Sequence, residues 1–314
     1  MTLEQIIDAQ KRIAPHIIKT PLVPIERLQS ILGFVPWLKL ENMQNIGAFK
    51  IRGAMNAALL LSQEDIDRGF ITASSGNHGR AVAYAAKALG TKALILLPNT
   101  VSRAKLEGIQ ALGAQTRLVE PQKRIEIALD VAQKEGLTFI HPYNDENVIC
   151  GQGSLGLEIM AQLPGVKRIL VPMGGGGLIS GIALAVKFSR PEIEIIGLEP
   201  AAVPKFSQNI RSETIHSVKE FPSIADALLS NKPGSIPLVV ARKYVDRIIS
   251  VEEGPLKEAY RLLLQEGKIY CEPSSAIGFG AVLQGEFRSS EMEDSVFLIS
   301  GGNILPEMIS AIIE

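Results

Sequence analysis

Short apolar runs alternate with amphipathic stretches along most of the chain. Nine runs have the length and composition of strands: 37–42, 70–74, 93–98, 116–120, 138–141, 168–173, 193–199, 247–251 and 295–300. Between them, apolar residues recur at helical spacing in 50–61, 77–89, 102–112, 122–135, 152–162, 178–188, 255–266 and 274–283. Alternating helices and apolar strands predict an α/β fold in which parallel sheets are covered on both faces.

The number of predicted strands favours two doubly wound domains over one. Nine strands are many for a single sheet of this kind, and a ligand would bind in the crevice at the strands' carboxyl ends. Regular strand–helix repeats in 52–145 predict a small α/β domain, and 1–51 together with 146–314 would form the large cofactor-binding domain. An αβ barrel is the alternative, but the irregular spacing after residue 200 disfavours eightfold repetition.

The composition argues against several classes of function. The chain has 32 Lys and Arg against 33 Asp and Glu, so there is no electrostatic reason to expect a nucleic acid or a membrane as partner. No apolar stretch has the uninterrupted length of a membrane span, and the N-terminus lacks the apolar core of a signal peptide. Two distant cysteines and four scattered histidines indicate neither a disulfide framework nor a structural metal site. We therefore expect a cytoplasmic enzyme that acts on a small molecule.

The first loop with candidate chemistry contains a lysine. Lys50 lies at a predicted helix start, between Phe49 and Ile51. Apolar neighbours and the positive end of a helix dipole disfavour the ammonium form and lower the pKa of a lysine. The neutral amine is the form that condenses with an aldehyde. A solvated lysine beside Arg52 is the alternative, and two further loops favour the first interpretation.

Both further loops join a predicted strand to a predicted helix and offer an anion site. The run Ser74-Ser75-Gly76-Asn77 leaves the first helical N–H groups open for a carboxylate. N-capping by one of its polar residues is the alternative, but it does not explain the whole run followed by His78. Gly174 to Gly177 allow the backbone to wrap a phosphate. The alternative for this glycine loop is a dinucleotide-binding site in which Glu199 would bind a ribose. The third glycine of the dinucleotide-binding motif is missing, however.

A lysine for an aldehyde, a glycine cradle for a phosphate and a pocket for a carboxylate together suggest pyridoxal phosphate and an amino acid. The chain resembles the threonine/serine dehydratases and serine racemases, which are pyridoxal-phosphate enzymes of fold type II (tryptophan synthase β-like). Seven segments carry the resemblance, in the family's order and over essentially the whole chain: KLENMQNIGAFKIRGA, SSGNHGRAVAYAAK, HPYNDENVICGQG, VPMGGGGLISG, GLEP, CEPSSA and SGGN.

The resemblance implies a role for each candidate residue. Lys50 would be the Schiff-base lysine and the base at Cα, and Ser75 stands at the position of a racemase's second acid/base group. The binding roles would be Phe49 near the cofactor ring; Asn77 on the ring hydroxyl; Ser74, Ser75, Gly76, Asn77 and His78 on the substrate carboxylate; Gly174, Gly175, Gly176 and Gly177 on the phosphate; and Ser300 on the pyridine nitrogen.

The implied function is a pyridoxal-phosphate-dependent L-threonine/L-serine ammonia-lyase that releases a 2-oxo acid and ammonia. The same site leaves open a serine racemase or a hydroxyaspartate dehydratase, and an NAD-dependent dehydrogenase is the alternative from another class. The family also suggests a homodimer.

Three departures from the family pattern bear on these expectations. Ile46-Gly47-Ala48 replaces the usual Thr-Gly-Ser before Phe-Lys, and Ala225-Asp226-Ala227 replaces Ala-Asp-Gly. Family members with a divalent metal have a glutamate that matches Glu199 and an aspartate where this chain has Lys205. We expect the ammonium of Lys205 to replace the metal as the partner of Glu199, so that no metal is bound. A solvated Lys205 is the alternative.

Overall fold

The computed structural model describes residues 1–74, 76–101, 103–120 and 123–313, which form two sheets and their covering helices. The strands are β1 (Leu22–Pro24), β2 (Trp37–Leu40), β3 (Phe70–Ala73), β4 (Ala93–Pro98), β5 (Gln115–Val119), β6 (Thr138–Phe139), β7 (Arg168–Pro172), β8 (Glu194–Pro200), β9 (Arg247–Val251) and β10 (Ser295–Ile299). The helices are α1 (Leu3–Ile13), α2 (Gln29–Leu32), α3 (Lys50–Leu59), α4 (Gln63–Arg68), α5 (Asn77–Ala88), α6 (Arg103–Gln110), α7 (Arg124–Glu135), α8 (Glu146–Gln162), α9 (Gly177–Ser189), α10 (Lys205–Asn209), α11 (Ser235–Tyr244), α12 (Glu253–Gln265), α13 (Ile277–Leu283) and α14 (Pro306–Ile313).

The two sheets confirm the predicted α/β class. The larger sheet has the order β1-β2-β10-β7-β8-β9, and the smaller one has the order β5-β4-β3-β6. Neighbouring strands are parallel throughout, except that β1 runs antiparallel to β2. All nine predicted strands are present. The tenth, β1, has only three residues and is partly exposed, so its pattern was too short to predict.

The central strands are largely apolar because both of their faces are buried, whereas the edge strand β5 (QTRLV) is mostly exposed. In β7, Leu170 packs into one core while Ile169 and Val171 pack into another on the opposite face. In the smaller sheet, Ile95 and Leu96 of β4 separate in the same way between two further cores. This arrangement leaves the carboxyl ends of the parallel strands as the place for polar chemistry.

Helix α8 packs against α3 and α9 and begins earlier than the sequence pattern predicts. It starts at Glu146 rather than at residue 152, because Asp145 caps it by accepting a hydrogen bond from the Val148 N–H (2.9 Å). Glycines allow α8 to approach α9 closely, since a Cβ on Gly181 would overlap the backbone of α8. Among the described residues, no helix has the length and apolar character needed to cross a membrane.

The proposed division into domains follows the two sheets. The four strands β3 to β6 all fall within 52–145, and the other six strands lie outside that range. Helix α3 contacts both α5, which covers the smaller sheet, and α8 of the remaining chain. The boundaries at 51/52 and 145/146 therefore stay a prediction.

Candidate active site

A pocket of about 560 Å³ lies at the carboxyl ends of strands from both sheets. Loops that follow β2, β3, β6, β7 and β10 supply most of its wall. Every predicted site residue that the structure describes lines this pocket: Phe49, Lys50, Ser74, Gly76, Asn77, His78, Gly174, Gly175, Gly176, Gly177 and Ser300. Ser75 lies outside the described residues. Residues far apart in the sequence thus meet as the motif order implied.

Lys50 is the first residue of α3 and presents an amine with a perturbed pKa. Its Nζ donates a hydrogen bond to the Pro142 carbonyl (2.8 Å) and lies 5.2 Å from the centroid of the Phe49 ring. Burial lowers the pKa of Lys50 to about 8. Among the described residues no carboxylate forms an ion pair with it, so nothing offsets the cost of burying its charge. A useful fraction of this amine is therefore neutral near physiological pH.

The loop before Lys50 is joined to the loop after β10. The Phe49 N–H donates to the Ser300 carbonyl (3.1 Å), and the Gly302 N–H donates to the Gly47 carbonyl (2.9 Å). Gly47 has a φ of +72°, and a Cβ there would lie 2.7 Å from Oδ1 of Asn303. Glycine is therefore required at this position. The contacts fix Lys50 relative to Ser300 on the other side of the pocket.

The two substitutions before Lys50 lie outside the pocket wall, whereas the one at Ala227 lies within it. Ile46 and Ala48 are buried, and neither is among the described residues that line the pocket. The absence of the family's threonine and serine hydroxyls at these two positions therefore affects the buried part of the loop and not the pocket wall. Ala227 does line the pocket, and its carbonyl oxygen lies 3.2 Å from the position of a Cβ on Gly174.

The start of α5 leaves its first N–H groups available to a ligand. Gly76 is the N-cap residue and no side chain caps the helix. The hydroxyl of Ser74 accepts only a long hydrogen bond from the Gly76 N–H (3.3 Å). Simple N-capping therefore does not account for the polar residues of this loop. Open N–H groups at the positive end of a helix form a site for a carboxylate.

The glycine loop before α9 forms a second anion site. Gly176 is the N-cap residue of α9, has a φ of +97° and receives no side-chain cap. The ring of Tyr143 covers the loop closely, because a Cβ on Gly175 would overlap it. The N–H groups at this helix start are thus presented without side chains between them, which suits a phosphate group.

Asn77 belongs to a polar network that fixes the direction of its amide. Its Nδ2 donates to both carboxyl oxygens of Glu272 (2.9 and 3.1 Å), and its Oδ1 accepts from Nδ2 of Asn303 (2.7 Å). The backbone N–H of Asn303 also donates to Glu272 (3.0 Å). The amide nitrogen has two hydrogens, so one can bond Glu272 while the other is offered to a ligand.

Glu272 is a functional candidate that the sequence reasoning missed. Its side chain is buried and lines the pocket, and burial raises its pKa to about 7 against the lowering effect of the Asn77 hydrogen bond. The segment CEPSSA contributes to the family resemblance, but the sequence alone indicates no role for its glutamate. A buried carboxyl that titrates near neutrality can hold or release a proton during a reaction.

Two histidines near Lys50 are neutral at physiological pH. Nε2 of His78 donates to the Ile140 carbonyl (3.0 Å), and burial together with Lys50 lowers its pKa to about 3. Nδ1 of His141 accepts from the Asn144 N–H (2.9 Å), and burial lowers its pKa to about 4. Neither imidazole is suited to act as a general acid, so Lys50 and Glu272 are the groups poised to exchange protons.

Ser300 lies at the end of β10, where the pyridine nitrogen was expected. Its hydroxyl is 3.2 Å from the hydroxyl of Ser275, which also donates to the Gly301 carbonyl (3.0 Å). No described residue with an acidic side chain is hydrogen-bonded to Ser300. The position therefore offers a neutral hydroxyl to a ligand.

Lys205 is buried and does interact with Glu199, as expected from the sequence. Both side chains are 0% exposed, and Lys205 Nζ lies 3.8 Å from Oε2 of Glu199. The ammonium also donates to the carbonyls of Leu228 (3.0 Å) and Val203 (3.4 Å). Solvation of Lys205, the alternative interpretation, is wrong. Glu199 accepts from the N–H of Phe206 as well (2.8 Å), so its carboxylate is not available to a ribose.

A group of four buried, charged side chains includes Arg52, two residues after Lys50. We call this group the ion network: Lys39, Glu41, Arg52 and Glu158. Arg52 donates to both oxygens of Glu41 (2.8 and 2.9 Å) and to both oxygens of Glu158 (2.7 and 2.9 Å). Lys39 donates to Glu158 as well (2.7 Å). All four are buried, and the two positive charges balance the two negative ones. The network ties α3 to β2 and to α8.

Comparison with known proteins shows which family and which solved structures the chain resembles. Residues 13–301 match the family described as pyridoxal-phosphate dependent enzyme. The chain is 38% identical over 317 residues to an L-threonine ammonia-lyase of Thermotoga maritima, which covers 100% of this chain and 78% of that protein. It is 38% identical over 303 residues to a serine racemase of Arabidopsis thaliana, covering 95% and 91%. A crystal structure of serine racemase from Dictyostelium discoideum superposes with a TM-score of 0.89 at 34% identity, covering 97% and 99%.

Proposed function

Because the chain belongs to the family of pyridoxal-phosphate-dependent enzymes, we propose that it is an ammonia-lyase that converts L-threonine and L-serine to a 2-oxo acid and ammonia. Its cofactor is pyridoxal 5'-phosphate. One observation carries the proposal: an amine with a pKa of about 8, at Lys50, shares a pocket with two anion-binding loops. The activity named for the Thermotoga relative, which matches this chain along its full length, supports the same reaction.

The chemistry of the pocket's donor groups fits this cofactor. Lys50 offers a primary amine for the aldehyde, and the loop Gly174–Gly177 offers N–H groups for the phosphate. Asn77 offers a donor for the ring hydroxyl, and Ser300 offers a neutral hydroxyl for the pyridine nitrogen. When bound, pyridoxal phosphate withdraws electrons from Cα of the amino acid and so acidifies the proton on that carbon.

The protein's own groups would then direct the loss of water from the substrate. The open N–H groups at the start of α5 would bind the carboxylate and hold Cα near Lys50. Nζ of Lys50, neutral because of burial, would take the Cα proton, and the Pro142 carbonyl would keep the amine in place. The β-hydroxyl leaves with a proton as water. Hydrolysis then restores one water and releases the nitrogen as ammonia, which gives the 2-oxo acid.

Racemisation is the second candidate, and the similarity to a serine racemase favours it. Inversion at Cα needs an acid/base group on the face opposite Lys50, and Ser75, which the structure does not describe, is the candidate for that group. Dehydration and racemisation share the removal of the Cα proton. The balance between them is therefore decided by whether the β-hydroxyl leaves before a proton returns.

The test is a direct product analysis with purified holoenzyme. L-threonine and L-serine are each incubated with the enzyme, and the 2-oxo acid, ammonia and D-enantiomer are measured. L-alanine, which has no β-hydroxyl, is the control that should yield no 2-oxo acid. We expect 2-oxobutanoate and pyruvate in amounts equal to the ammonia. D-serine without pyruvate would establish the racemase instead.

The setting of the enzyme is part of the proposal. We place it in the cytoplasm as a homodimer, with no nucleic acid or membrane as partner. Both cysteines, Cys150 and Cys271, are buried and unpaired, which suits a reducing compartment. The small domain would comprise 52–145, and the large cofactor-binding domain the rest of the chain. No bound metal is proposed, since the Lys205 ammonium already lies beside Glu199.

A further inference from the structure

A segment of five residues forms one wall of the pocket and has little regular structure of its own. Residues 226–230, which we call the wall segment, all line the pocket. The segment belongs to no strand, and its regular structure is the single 3₁₀ turn Asp226–Leu228. Neighbouring parts of the fold must therefore supply the hydrogen bonds that keep its backbone in place.

The wall segment lies directly against the glycine loop that we propose as the phosphate site. A Cβ on Gly174 would lie 3.2 Å from the carbonyl oxygen of Ala227 and 3.7 Å from Cα of Leu228. The two backbones are therefore in contact, with no side chain of Gly174 between them. Because packed segments of a protein leave little free space, a shift of the wall segment would also change the position of the glycine loop.

Lys205 binds the wall segment more closely than it binds its carboxylate neighbour. Its Nζ donates its shortest hydrogen bond to the Leu228 carbonyl (3.0 Å), whereas Oε2 of Glu199 is 3.8 Å away. A distance of 3.8 Å is too long for a hydrogen bond. Glu199 has other donors, because its two oxygens accept from the backbone N–H groups of Phe206 and Ser207 (2.8 Å each). The position of the ammonium is thus set by the wall segment as well as by the opposite charge.

The helix that carries Lys205 contacts the glycine loop at a second point. Lys205 and Phe206 are the first two residues of α10. A Cβ on Gly176 would lie 2.5 Å from Cζ of Phe206, so the aromatic ring fills the space beside that glycine. The start of α10 therefore supports the loop directly at Gly176, and it supports Gly174 through the wall segment.

A divalent cation does not fit in the place of this ammonium. Lys205 occupies the space beside Glu199, and a positive charge there repels a metal ion. In the part of the chain that the structure describes, no group of three or more acidic, histidine or cysteine side chains could hold a metal. The connection between α10 and the wall segment is therefore made by the protein itself.

We propose that Lys205 is a positioning residue for the cofactor site. Its ammonium holds the wall segment through the Leu228 carbonyl, and the wall segment holds the glycine loop in the position that binds the phosphate. The inference rests on the proposed role of the glycine loop. It does not depend on which amino acid the enzyme converts.

The experiment compares two buried lysines. Lys205→Met removes the hydrogen bond to Leu228, and Lys39→Met is the matched control, because Lys39 is equally buried but belongs to the ion network and does not line the pocket. Each holoenzyme is dialysed against buffer without cofactor, and the pyridoxal phosphate that remains per folded enzyme is measured by absorbance. We expect Lys205→Met to lose the cofactor at least about tenfold faster than the wild type, since a hydrogen bond from a charged donor is lost. Lys39→Met should lower the midpoint of urea unfolding without faster loss of cofactor.

A second variant tests the wall segment through another contact and decides the matter if Lys205→Met does not fold. The Ala227 N–H donates to Oγ of Ser274 (3.2 Å), a buried hydroxyl outside the pocket lining. Ser274→Ala removes this neutral hydrogen bond and should speed the loss of cofactor by about two- to fivefold. A folded Lys205→Met that retained the cofactor as long as the wild type would overturn the proposal, and so would a Ser274→Ala that lost it no faster than Lys39→Met.

Retention of the cofactor is measured without turnover, which separates this inference from the proposed reaction. If no hydroxy amino acid yields a 2-oxo acid but Lys205→Met still loses the cofactor faster, the proposed reaction fails and the positioning role stands. If the wild type forms 2-oxo acids while Lys205→Met and Lys39→Met lose the cofactor at the same rate, the reaction stands and the positioning role fails.

Discussion

The ion network and the pocket both bury ionisable side chains, and Lys50 of the pocket lies two residues before Arg52 of the network. In the ion network Arg52 meets two carboxylates, which together outweigh the effect of burial and raise its pKa. In the pocket Lys50 meets a carbonyl and an aromatic ring, and burial lowers its pKa to about 8. Glu272 likewise has amide partners but no cation bonded to it among the described residues, and its pKa rises to about 7.

The difference shows what each region does. Charges that are buried together in balance hold three elements in one arrangement, and removing one of them leaves its partners uncompensated. Charges that are buried without a counter-ion are maintained by the surrounding fold at a cost in stability. They can serve binding or catalysis when a ligand or a transferred proton neutralises them. The comparison therefore predicts that substitutions in the ion network change stability, while substitutions in the pocket change activity.

The largest effect is expected for Lys50→Ala. Because this substitution removes the amine that takes the Cα proton, 2-oxo acid production should fall by about 10⁴-fold. The midpoint of urea unfolding should stay the same or rise, since a buried charge without a counter-ion is removed. Initial rates and unfolding curves measure the two effects, and Lys87→Ala on the exposed face of α5 is the control. Activity that survives in Lys50→Ala would contradict the proposed function.

Arg52→Ala should give the opposite result. It leaves Glu41 and Glu158 buried without their shared partner, so the free energy of unfolding should fall by about 3–5 kcal/mol. Arg52→Lys keeps the charge but loses the planar guanidinium that bonds both carboxylates. It should lower the free energy of unfolding by less than Arg52→Ala does. Urea denaturation measures both values, with kcat expressed per folded enzyme. If Arg52→Ala kept the stability of the wild type, the proposed contrast between the two regions would be wrong.

Glu272→Gln tests a pocket charge through pH. The folded pKa of about 7 lies above the ordinary value of 4.5, so between these pH values the native state holds a proton that the unfolded chain has lost. The free energy of unfolding of the wild type should therefore fall as the pH rises through this window, by about 3–4 kcal/mol in all. Glu272→Gln should lack this part of the slope while keeping an acceptor for Asn77. The free energy of unfolding is measured at pH 5, 6 and 7 for both proteins. The same pH dependence in the wild type and in Glu272→Gln would refute the raised pKa of Glu272.

The smallest effect is expected from removal of divalent cations. Lys205 and Glu199 are intermediate between the ion network and the pocket. A single buried ammonium lies 3.8 Å from a carboxylate and donates hydrogen bonds to two carbonyls. Since this charge is covalently attached, EDTA should leave kcat and the thermal midpoint unchanged. A loss of activity that magnesium restores would show that the site depends on a metal despite Lys205.

The fold class and many of the residues that line the pocket could be predicted from the sequence, for a physical reason. Strands buried on both faces give apolar runs such as 168–173, and loops that bind anions need small residues such as those of 174–177. Helix starts were less accessible, because the start of α8 depends on a capping hydrogen bond from Asp145 rather than on apolar periodicity.

The network around Asn77 could not be predicted from the pattern alone. Glu272 and Asn303 lie far from Asn77 in the sequence, and nothing local distinguishes their motifs from ordinary turns. The position of Arg80 was equally hidden. A lone arginine after GNHG is usually solvated, whereas this one is half-buried, lines the pocket and packs against Gly108.

The place of β10 in the larger sheet determines when this enzyme is able to assemble during its synthesis. β10 lies between β2 and β7, so the hairpin of β1 and β2 gains its parallel neighbour from a strand made long after it. While the ribosome translates the intervening residues, that hairpin has no sheet to join, and long-range pairing of this kind is slow to form. The smaller sheet is contiguous in the chain and can fold first. The pocket, whose floor includes Ser300, is completed only after β10 has been synthesised.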